Sequence, residues 1–421
     1  MRKRTAILRP MRPQTTPGAA ASHVENPPEQ GSVRRVLFVA GRTHLPDGSI
    51  PPHGSGAHVA ATRAGLERHF TVAALLGTPG AAGGGSAGSR LRRVVPGRIR
   101  GLRQDVLLLA HELRLARRAL RSARELHADA VYERSEYLSF AGLAVARRLR
   151  LPYVLEVDGL VEDDVRTQYR SLAEPLGPLV ERLKRRRAAA IVVESPGMAA
   201  ALERRGTDSA KLVIAPNALP AERVRAEPRA ARSGPVTIGW IGHLMPWYVD
   251  ALALLVRVAP CVLEAAPDTR FEIVAGGPGL PEIQALVDAG GLAPRFMLRG
   301  PVPYEQVPAV LEDFDVGVIP ALFDYQFPVK LVELGGAGLP VVAPSTSSVD
   351  GLLARGVEYE PFSPGDPDDL ARALVRLATD AARREELGRA LREAVRTRFT
   401  WPVVSDRLAA AVERAAQGSR G

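Results

Sequence analysis

The sequence predicts an α/β protein of two domains, each a parallel sheet covered by helices on both faces. The chain has 421 residues, too many for one ordinary domain and enough for two. Short apolar stretches typical of buried strands alternate with helical stretches along most of the chain. A polar, proline-containing and aperiodic break at residues 222–235 separates two halves of similar size.

The first half begins with a stretch that has no periodicity. Residues 1–32 are rich in Pro, Ala, Gln and Thr, and we expect a disordered tail there. A buried strand starts near Val36 in VRRVLFVAG, AHVAATRAGLERH is typical of a helix, and FTVAALLG is a second strand. The strands DAVYER, LPYVLEVDG, AAIVVES and KLVIAPN follow. We therefore assign residues 33–225 to an N-terminal Rossmann-like domain.

A long amphipathic helix is predicted over residues 104–125 of this half. One stripe of its surface is apolar, and arginines occupy the rest. The residues of the predicted stripe are Val106, Leu109, Leu113, Ala116 and Leu120.

The second half repeats the same alternation after a linker assigned to residues 226–235. VTIGWIGH restarts the strands, and RFEIVAGG, FMLRG, VGVIP and LPVVAP follow with helices between them. We assign residues 236–395 to a C-terminal Rossmann-like domain and residues 396–416 to a closing helix. Ligands of such folds bind at the carboxyl ends of the strands, here facing a cleft between the domains.

The charge and composition argue against a nucleic-acid partner. The net charge is +10, but aromatic residues make up 5% and do not interleave with the basic residues as a nucleic-acid platform requires, so we expect no nucleic-acid partner. The arginine-rich helix at residues 104–125 is consistent with peripheral contact with an anionic membrane; the alternative is a solvated helix. The sequence does not indicate an oligomeric state.

The cellular location is inferred from what the sequence lacks. No apolar run approaches the ~20 residues of a membrane span, and the start has no continuous apolar core of a secretory signal. A single cysteine, Cys261, excludes an intramolecular disulfide and fits a reducing compartment. We expect a cytoplasmic protein, with the inner face of the membrane as the alternative location.

The stretch FPVKLVELGGAGLPVVAP at residues 327–344 has the features of an anion site. Pro328 suits the first position of a helix, because its missing N–H would have no partner there. Lys330 and Glu333 then share one face of a helix start, where free N–H groups favour a phosphate. Glu333 is suited to accept hydrogen bonds from a vicinal diol such as a ribose. The alternative is an ordinary surface ion pair.

Three glycines in this stretch need a different explanation. Gly335, Gly336 and Gly338 follow closely on one another, and each costs about 1 kcal/mol inside a helix. We expect that these glycines are there because they let the backbone pack closely against the sheet or against a ligand.

This stretch resembles the donor-site motif of the retaining, family-4 glycosyltransferases of GT-B fold, a Pro-x-Lys-Leu-x-Glu core followed by Gly-x-Pro-Val-Val-Ala. Other segments of the chain also resemble the family, and they follow one another in the family's order. In chain order they are HGSGAHVAATRAGL, KLVIAPNALP, VTIGWIGHLMPW, FEIVAGGPG and LRGPVPYEQVPAVLEDFDVGVIP. FTWPVVSDRL resembles the closing helix that crosses back to the first domain. The resemblance covers nearly all of residues 33–416 and implies two Rossmann-like domains whose parallel sheets face a central cleft.

The resemblance implies roles at a donor site. Glu333 would bind the ribose of a nucleotide sugar, and Lys330 would hold its diphosphate and stabilise the leaving charge. Val302 would meet the base through its backbone. The remaining positions implied in donor binding contribute backbone N–H groups or close approach: Leu331, Val332, Gly276, Gly277, Gly279, Gly54 and Gly56. No metal and no permanently bound cofactor are expected, and UDP is the expected nucleotide because it is the commonest in the family.

The acceptor side is less defined by the motifs. The resemblance makes His58 and Asp158 the candidate catalytic residues that position an acceptor hydroxyl. Glu156 and Asp158 stand at a strand end, and we expect that only one of them, Asp158, faces the cleft. Glu133 and Arg134 either help to fix the acceptor side or pair with each other.

Four positions depart from the family pattern. Tyr325 stands eight residues before Glu333 where the family usually has a second glutamate, and Met245 stands where lysine is common. Asp158 replaces a frequent histidine, and Asn217 is followed by Ala218 instead of glycine. These differences suggest a specialised branch with a specialised acceptor.

The sequence therefore predicts a retaining glycosyltransferase that moves a hexosyl group from a nucleotide sugar to an acceptor hydroxyl. Natural-product and cell-surface glycan biosynthesis are the expected contexts. Two alternatives stay open: a sugar-nucleotide epimerase on the same fold, and a catalytically degenerate GT-B protein that serves as a partner of an active transferase.

Overall fold

The computed structural model describes residues 33–41, 55–76, 97–160, 173–230, 232, 234–244 and 246–418. The tail predicted at residues 1–32, together with Gly54 and Met245, lies outside these residues.

The N-terminal domain is built on a six-stranded sheet with the order β2-β1-β3-β4-β5-β6, in which every described pair is parallel. Its strands are β1 (Arg35–Ala40), β2 (Thr71–Leu76), β3 (Ala130–Arg134), β4 (Tyr153–Val157), β5 (Ala190–Val193) and β6 (Leu212–Ile214). Alternate residues pack into separate cores on the two faces, with Phe38 on one face and Leu37 on the other. Burial on both faces explains why these strands are continuously apolar.

Helices cover both faces of this sheet. They are α1 (Ser55–Glu67), α2 (Gly97–Leu126), α3 (Ala141–Leu149), α4 (Gly177–Arg187) and α5 (Pro196–Arg204). Ser195 caps α5 by accepting a hydrogen bond from the Met198 N–H at 3.0 Å.

The predicted apolar stripe of α2 is wrong in its first half. Val106, Leu109 and Leu113 are exposed, whereas Leu115 and two alanines, Ala119 and Ala123, are buried. Small alanine side chains let the helix approach the sheet closely, and the large apolar residues suggested another face. The helix also begins at Gly97, earlier than predicted.

The C-terminal domain is built on a second six-stranded parallel sheet with the order β12-β11-β10-β7-β8-β9. Its strands are β7 (Thr237–His243), β8 (Arg270–Gly276), β9 (Phe296–Arg299), β10 (Val316–Val318), β11 (Val341–Pro344) and β12 (Glu360–Phe362). Its helices are α6 (Pro246–Ala265), α7 (Leu280–Ala289), α8 (Val307–Leu311), α9 (Val329–Gly336), α10 (Ser347–Asp350), α11 (Pro367–Thr379) and α12 (Ala381–Arg398).

The last helix, α13 (Trp401–Gly418), crosses back to the N-terminal domain. Val404, Leu408 and Val412 join the core on the face of the first sheet that carries Phe38 and Val192. A Cβ added to Gly65 of α1 would lie 3.1 Å from the Ser405 Cβ, so this glycine permits close contact between α1 and α13. A second connection is the bridge between Leu219 and Thr400.

The segment between the two sheets packs along the C-terminal domain. Arg229 donates to the carbonyl oxygens of Leu311 and Phe314, at 3.0 and 2.6 Å. Arg232 makes a two-pronged ion pair with Asp315, with both N···O distances at 2.9 Å. Within the described part of the chain, no helix combines the length and the apolar character needed to cross a membrane.

Candidate active site

The two domains meet at the carboxyl ends of their strands. Glu194 and Ser195 follow β5, and Asn217 lies shortly after β6. All three reach the segment that joins β10 to α9 in the other domain. The predicted donor motif therefore begins directly beside residues of the N-terminal domain.

Helix α9 starts with Val329, and Pro328 is its N-cap in an extended conformation (φ −75°, ψ 141°). The sequence predicted Pro328 as the first residue of the helix, whereas in the structure it stands one position before the helix. Its carbonyl oxygen accepts from the Leu331 N–H at 3.0 Å. The helix start has no side-chain cap among the described residues, which leaves its N–H groups oriented for an anion.

Lys330 is half-buried between aromatic rings at this helix start. Its Nζ lies 4.2 Å from the ring centroid of Trp240 and 5.1 Å from that of Tyr248. Burial lowers the pKa of Lys330 to about 8, although Glu333 opposes the shift. The lysine is therefore held by cation–π contacts and is poorly solvated.

Glu333 lies one turn further along the same face. Burial raises the pKa of Glu333, while a hydrogen bond from Tyr304 and the charges of Arg223 and Lys330 act against the rise. Burial and the Glu333 carboxylate raise the pKa of Tyr304 to about 12. The Arg223 guanidinium lies 4.0 Å from the centroid of the Tyr304 ring.

The other predicted donor residues are placed differently from one another. The side chains of Leu331 and Val332 are fully buried in the core, so only their backbone is available to a ligand. Val302 is half-buried after β9. Gly277 has φ +120°, and a Cβ added to it would lie 2.6 Å from the Leu244 carbonyl oxygen in the β7–α6 connection. A Cβ added to Gly279 would lie 2.6 Å from the Val249 side chain of α6.

Two further predicted glycines complete this set. A Cβ added to Gly276 would lie 2.9 Å from the Pro301 Cβ, so this glycine fits closely under the segment that follows β9. Gly56 is buried near the start of α1.

The glycines of the α9 motif approach α12 and the chain between β6 and β7 instead of the sheet or a ligand. A Cβ added to Gly335 would lie 2.6 Å from the Leu391 Cγ of α12, and one added to Gly336 would lie 2.6 Å from the Leu219 side chain. Gly338 has φ +78° just after the helix end, a conformation that favours glycine. The sequence prediction of close packing named the wrong partner.

His58 is paired with Glu156 in the N-terminal domain. The His58 Nε2 lies 2.6 Å from the Glu156 Oε1, and both side chains are largely buried. Burial opposes protonation of His58, but the neighbouring carboxylates of Glu156 and Asp158 outweigh it and raise its pKa. This pair was not predicted, because the two residues are 98 positions apart. Glu156 and Asp158 both lie close to His58, so the prediction that only Asp158 faces the site is wrong: residues two apart in a strand share a face.

Asp158 is held by Arg134. Both the Nε and Nη2 of Arg134 donate to the Asp158 Oδ2, at 2.9 and 2.6 Å. Burial works against ionisation of Asp158, yet Arg134 and His58 outweigh it and lower its pKa. Glu133 points to the other face of β3 and accepts from the Gly142 and Leu143 N–H groups at the start of α3. Glu133 thus caps a helix, and Arg134 orients the carboxylate of Asp158.

Glu194 joins the two domains. Its Oε1 accepts from the Phe327 N–H at 3.1 Å, and its Oε2 accepts from the Asn217 Nδ2 at 2.8 Å. The same Asn217 nitrogen donates to the Phe327 carbonyl oxygen at 2.7 Å. Burial raises the pKa of Glu194 to about 8, and the charge of Asp158 adds to the rise. The sequence analysis missed Glu194, whose one signal is a carboxylate at the end of the apolar strand AAIVV.

Tyr325 occupies the place of the family's second glutamate. Its ring stacks on Phe323, with centroids 5.4 Å apart, and packs against the core of the N-terminal domain. Its carbonyl oxygen accepts from the Ser195 Oγ at 2.7 Å. Within the described residues, no group of three or more His, Cys, Asp or Glu side chains is placed to hold a metal ion.

Comparisons with known proteins agree with this architecture. Residues 53–218 match the family described as "Glycosyl transferase 4-like domain", and residues 235–380 match "Glycosyl transferases group 1". Among solved structures, Anabaena Alr3699/HepE in complex with UDP and glucose superposes with a TM-score of 0.62 at 16% identity, over 90% of this chain and 98% of that one. Sucrose-phosphate synthase from Thermosynechococcus elongatus superposes with a TM-score of 0.64 at 16% identity, over 89% and 97%. The fold and the family matches thus define a GT-B glycosyltransferase.

Curated proteins with similar sequences are named as glycosyltransferases. A 2-deoxystreptamine glucosyltransferase of Streptomyces kanamyceticus is 28% identical over 70% of this chain and 78% of its own length. A 2-deoxystreptamine N-acetyl-D-glucosaminyltransferase of Streptomyces fradiae is 28% identical over 58% of this chain and 60% of its own length. The chain belongs to the family-4 glycosyltransferases of GT-B fold, and it is an enzyme. The family and the fold predicted from the sequence are confirmed.

Proposed function

We propose that the protein is a retaining glycosyltransferase that transfers a hexosyl group from a nucleotide sugar, with UDP as the nucleotide, to a hydroxyl of its acceptor. The observation that carries the proposal is the start of α9. There Lys330 and Glu333 share one face of a helix without a side-chain cap, at the junction of the two domains. A nucleotide sugar offers a diphosphate for the first group and a ribose diol for the second.

The donor is held by charge and by backbone donors. Lys330 and the N–H groups of the α9 start bind the diphosphate and stabilise the charge that develops as it leaves. Glu333 accepts from the ribose hydroxyls, and Tyr304 fixes the orientation of its carboxylate. The backbone near Val302 contacts the base.

The acceptor hydroxyl is oriented from the N-terminal domain. A lowered pKa makes Asp158 a weak base, so its role is to accept a hydrogen bond from the hydroxyl. The hydroxyl attacks the anomeric carbon on the face from which the diphosphate departs. The bond from the anomeric carbon to the diphosphate breaks as the new glycosidic bond forms, and the hydroxyl proton passes to the departing diphosphate.

We further propose an aminocyclitol as the acceptor, in natural-product biosynthesis. Two relatives are named for 2-deoxystreptamine, whose amines are cationic at neutral pH. Glu156 and Asp158 lie near one another beside His58, as their effects on its pKa indicate. Their carboxylate oxygens would accept hydrogen bonds from the ammonium and hydroxyl groups of such an acceptor.

Peripheral contact with an anionic membrane is a second proposal, and it has its own observation. Val106, Leu107 and Leu109 are exposed on α2, beside the arginines of that helix. Cosedimentation with vesicles of anionic or neutral lipid tests it. Binding to the anionic vesicles alone, weakened by salt, supports the proposal, and equal recovery in both supernatants refutes it.

Calorimetry with UDP, GDP, ADP and dTDP tests the donor site. We expect the wild type to bind UDP selectively and Glu333→Ala to bind it weakly. No binding of any of the four would overturn the donor assignment and favour a degenerate GT-B protein.

A turnover assay then tests the acceptor and the mechanism. With UDP-hexoses and 2-deoxystreptamine we expect a product whose anomeric configuration, read from its proton NMR coupling, equals that of the donor. An inverted product would refute retention. Isomerisation of the donor sugar without an acceptor would indicate an epimerase.

A further inference from the structure

We propose that Glu194 and Asn217 of the N-terminal domain are positioning residues that fix the start of the donor helix α9 through both backbone polar groups of Phe327. The proposal rests on the proposed function, because it concerns the helix that would bind the diphosphate. Both residues lie outside the family-4 motif at residues 327–344.

The contacts form a closed set. The Glu194 carboxylate accepts from the Phe327 N–H, the Asn217 amide nitrogen donates to the Phe327 carbonyl oxygen, and the same nitrogen donates to Glu194, at 3.1, 2.7 and 2.8 Å. Each partner therefore fixes the orientation of the other. The hydrogen bonds lie in a buried region, since the exposed fractions of Glu194, Asn217 and Phe327 are 9%, 6% and 0%. Loss of one partner would leave a buried polar group without its hydrogen bond.

Phe327 transmits this constraint to the donor site. It is separated from α9 by one residue, Pro328, whose ring limits its own φ and thereby the freedom of the junction. The Phe327 ring is anchored on its other side by Phe399, with centroids 5.2 Å apart. Lys330 follows three positions later. A displaced Phe327 would move both the N–H groups of the helix start and the Lys330 ammonium.

The arrangement makes the diphosphate site depend on the other domain. The donor helix belongs to the C-terminal domain, but its first turn is fixed by side chains at the carboxyl ends of β5 and β6. Binding of a diphosphate requires N–H groups placed in advance, because ordering them at the moment of binding costs affinity. A residue with a merely structural role would lower the melting temperature without changing the dissociation constant of UDP measured well below it.

The test compares the wild type with Glu194→Ala, Asn217→Ala, their double variant and Glu194→Gln. We expect each alanine variant to raise the dissociation constant of UDP by about tenfold at 10 °C. The loss of binding free energy in the double variant should be smaller than the sum of the losses in the two single variants. Glu194→Gln keeps an acceptor for the Phe327 N–H, so we expect it to recover part of the affinity. Ser348→Ala is the matched control, since Ser348 contacts Ser195 across the same interface and does not touch Phe327.

Hydrogen exchange of the peptide that spans residues 327–334 provides a second readout that needs no nucleotide. Glu194→Ala should speed exchange at the start of α9, and Ser348→Ala should not. Unchanged exchange, or unchanged UDP affinity in both alanine variants, would overturn the positioning role. If the wild type binds no nucleotide, the proposed function fails, and the exchange experiment alone decides whether the two residues fix the helix.

Discussion

Lys330 combines two opposing effects on its charge. The faces of Trp240 and Tyr248 favour the ammonium, whereas its poorly solvated location lowers its pKa to about 8. At neutral pH the lysine is mainly protonated, and above pH 8 the free enzyme loses this proton. A diphosphate that requires the charged lysine must then bind together with a proton.

We therefore predict that UDP affinity falls as the pH rises above 8, by up to about tenfold per pH unit. Lys330→Arg stays protonated throughout, so its affinity should be independent of pH between 7 and 9.5. Calorimetric titrations in matched buffers measure both profiles. The same slope in the arginine variant would mean that another group, such as Glu194, titrates instead.

His58 contributes stability that depends on pH in a defined direction. Its pKa is raised in the folded protein by Glu156 and Asp158, so the folded state holds the proton more tightly than the unfolded state. The contribution is complete below the ordinary value of 6.5 and is lost as the pH rises through the raised pKa.

We predict that His58→Gln lowers the melting temperature at pH 6 more than at pH 9. Thermal unfolding followed by circular dichroism measures the difference. His69→Gln is the control, because His69 pairs with a mostly exposed partner, Asp406. An effect of His58→Gln that does not change with pH would show that the ion pair with Glu156 adds no stability.

At the scale of elements, α9 depends on its neighbours for its position. Gly335 allows α12 to approach, and Gly338 ends the helix in a left-handed conformation. Leu331 and Leu334 are fully or nearly fully buried in the core of the C-terminal domain. The helix therefore has one face fixed by packing and one face, with Lys330 and Glu333, directed to the site.

We predict that Gly335→Ala destabilises the protein although alanine is the better helix former. A Cβ would lie 2.6 Å from the Leu391 Cγ. The resulting overpacking costs about 1–3 kcal/mol, against about 1 kcal/mol gained in helix propensity. Chemical denaturation measures the change. In Gly300→Ala the new Cβ would meet no described atom within 4 Å, so this control should shift the free energy of unfolding by less than about 0.5 kcal/mol.

At the scale of the whole molecule, one contact between the two domains depends on a residue without a side chain. Gly197 of α5 lies against the C-terminal domain, where an added Cβ would be 2.3 Å from both the Asp324 carbonyl oxygen and the Ser348 Oγ. Neither the backbone oxygen nor the buried serine can move away cheaply. This contact fixes the two domains against each other at α5.

We predict that Gly197→Ala separates the domains at this contact. The radius of gyration from small-angle X-ray scattering should increase, and kcat/KM should fall by at least about tenfold, because both substrates must be held in reacting geometry. Glu203→Ala on the exposed side of the same helix is the control. An unchanged radius and rate in Gly197→Ala would show that the interface adapts to the extra methyl group.

The limits of sequence reasoning are visible in particular residues. The strand VTIGWIGH and the motif of Lys330 and Glu333 were found because burial and helix starts leave local patterns. The apolar face of α2 was misassigned, because two alanines make its closest contacts and alanine gives a weak signal. Tyr304 and Arg223 were missed as neighbours of Glu333, because no local pattern joins three separate segments.

The sequence by itself determined the alternation of strands and helices, the division into two halves and the donor motif. Each of these depends on residues a few positions apart, whose spacing reports directly on one helix face or one strand. Only the tertiary structure decided that His58 pairs with Glu156 and that Glu194 holds Phe327, since these partners are 98 and 133 positions apart. Such contacts are set by how the two parallel sheets order their strands and bring their carboxyl ends together, and residue spacing along the chain carries no record of that arrangement.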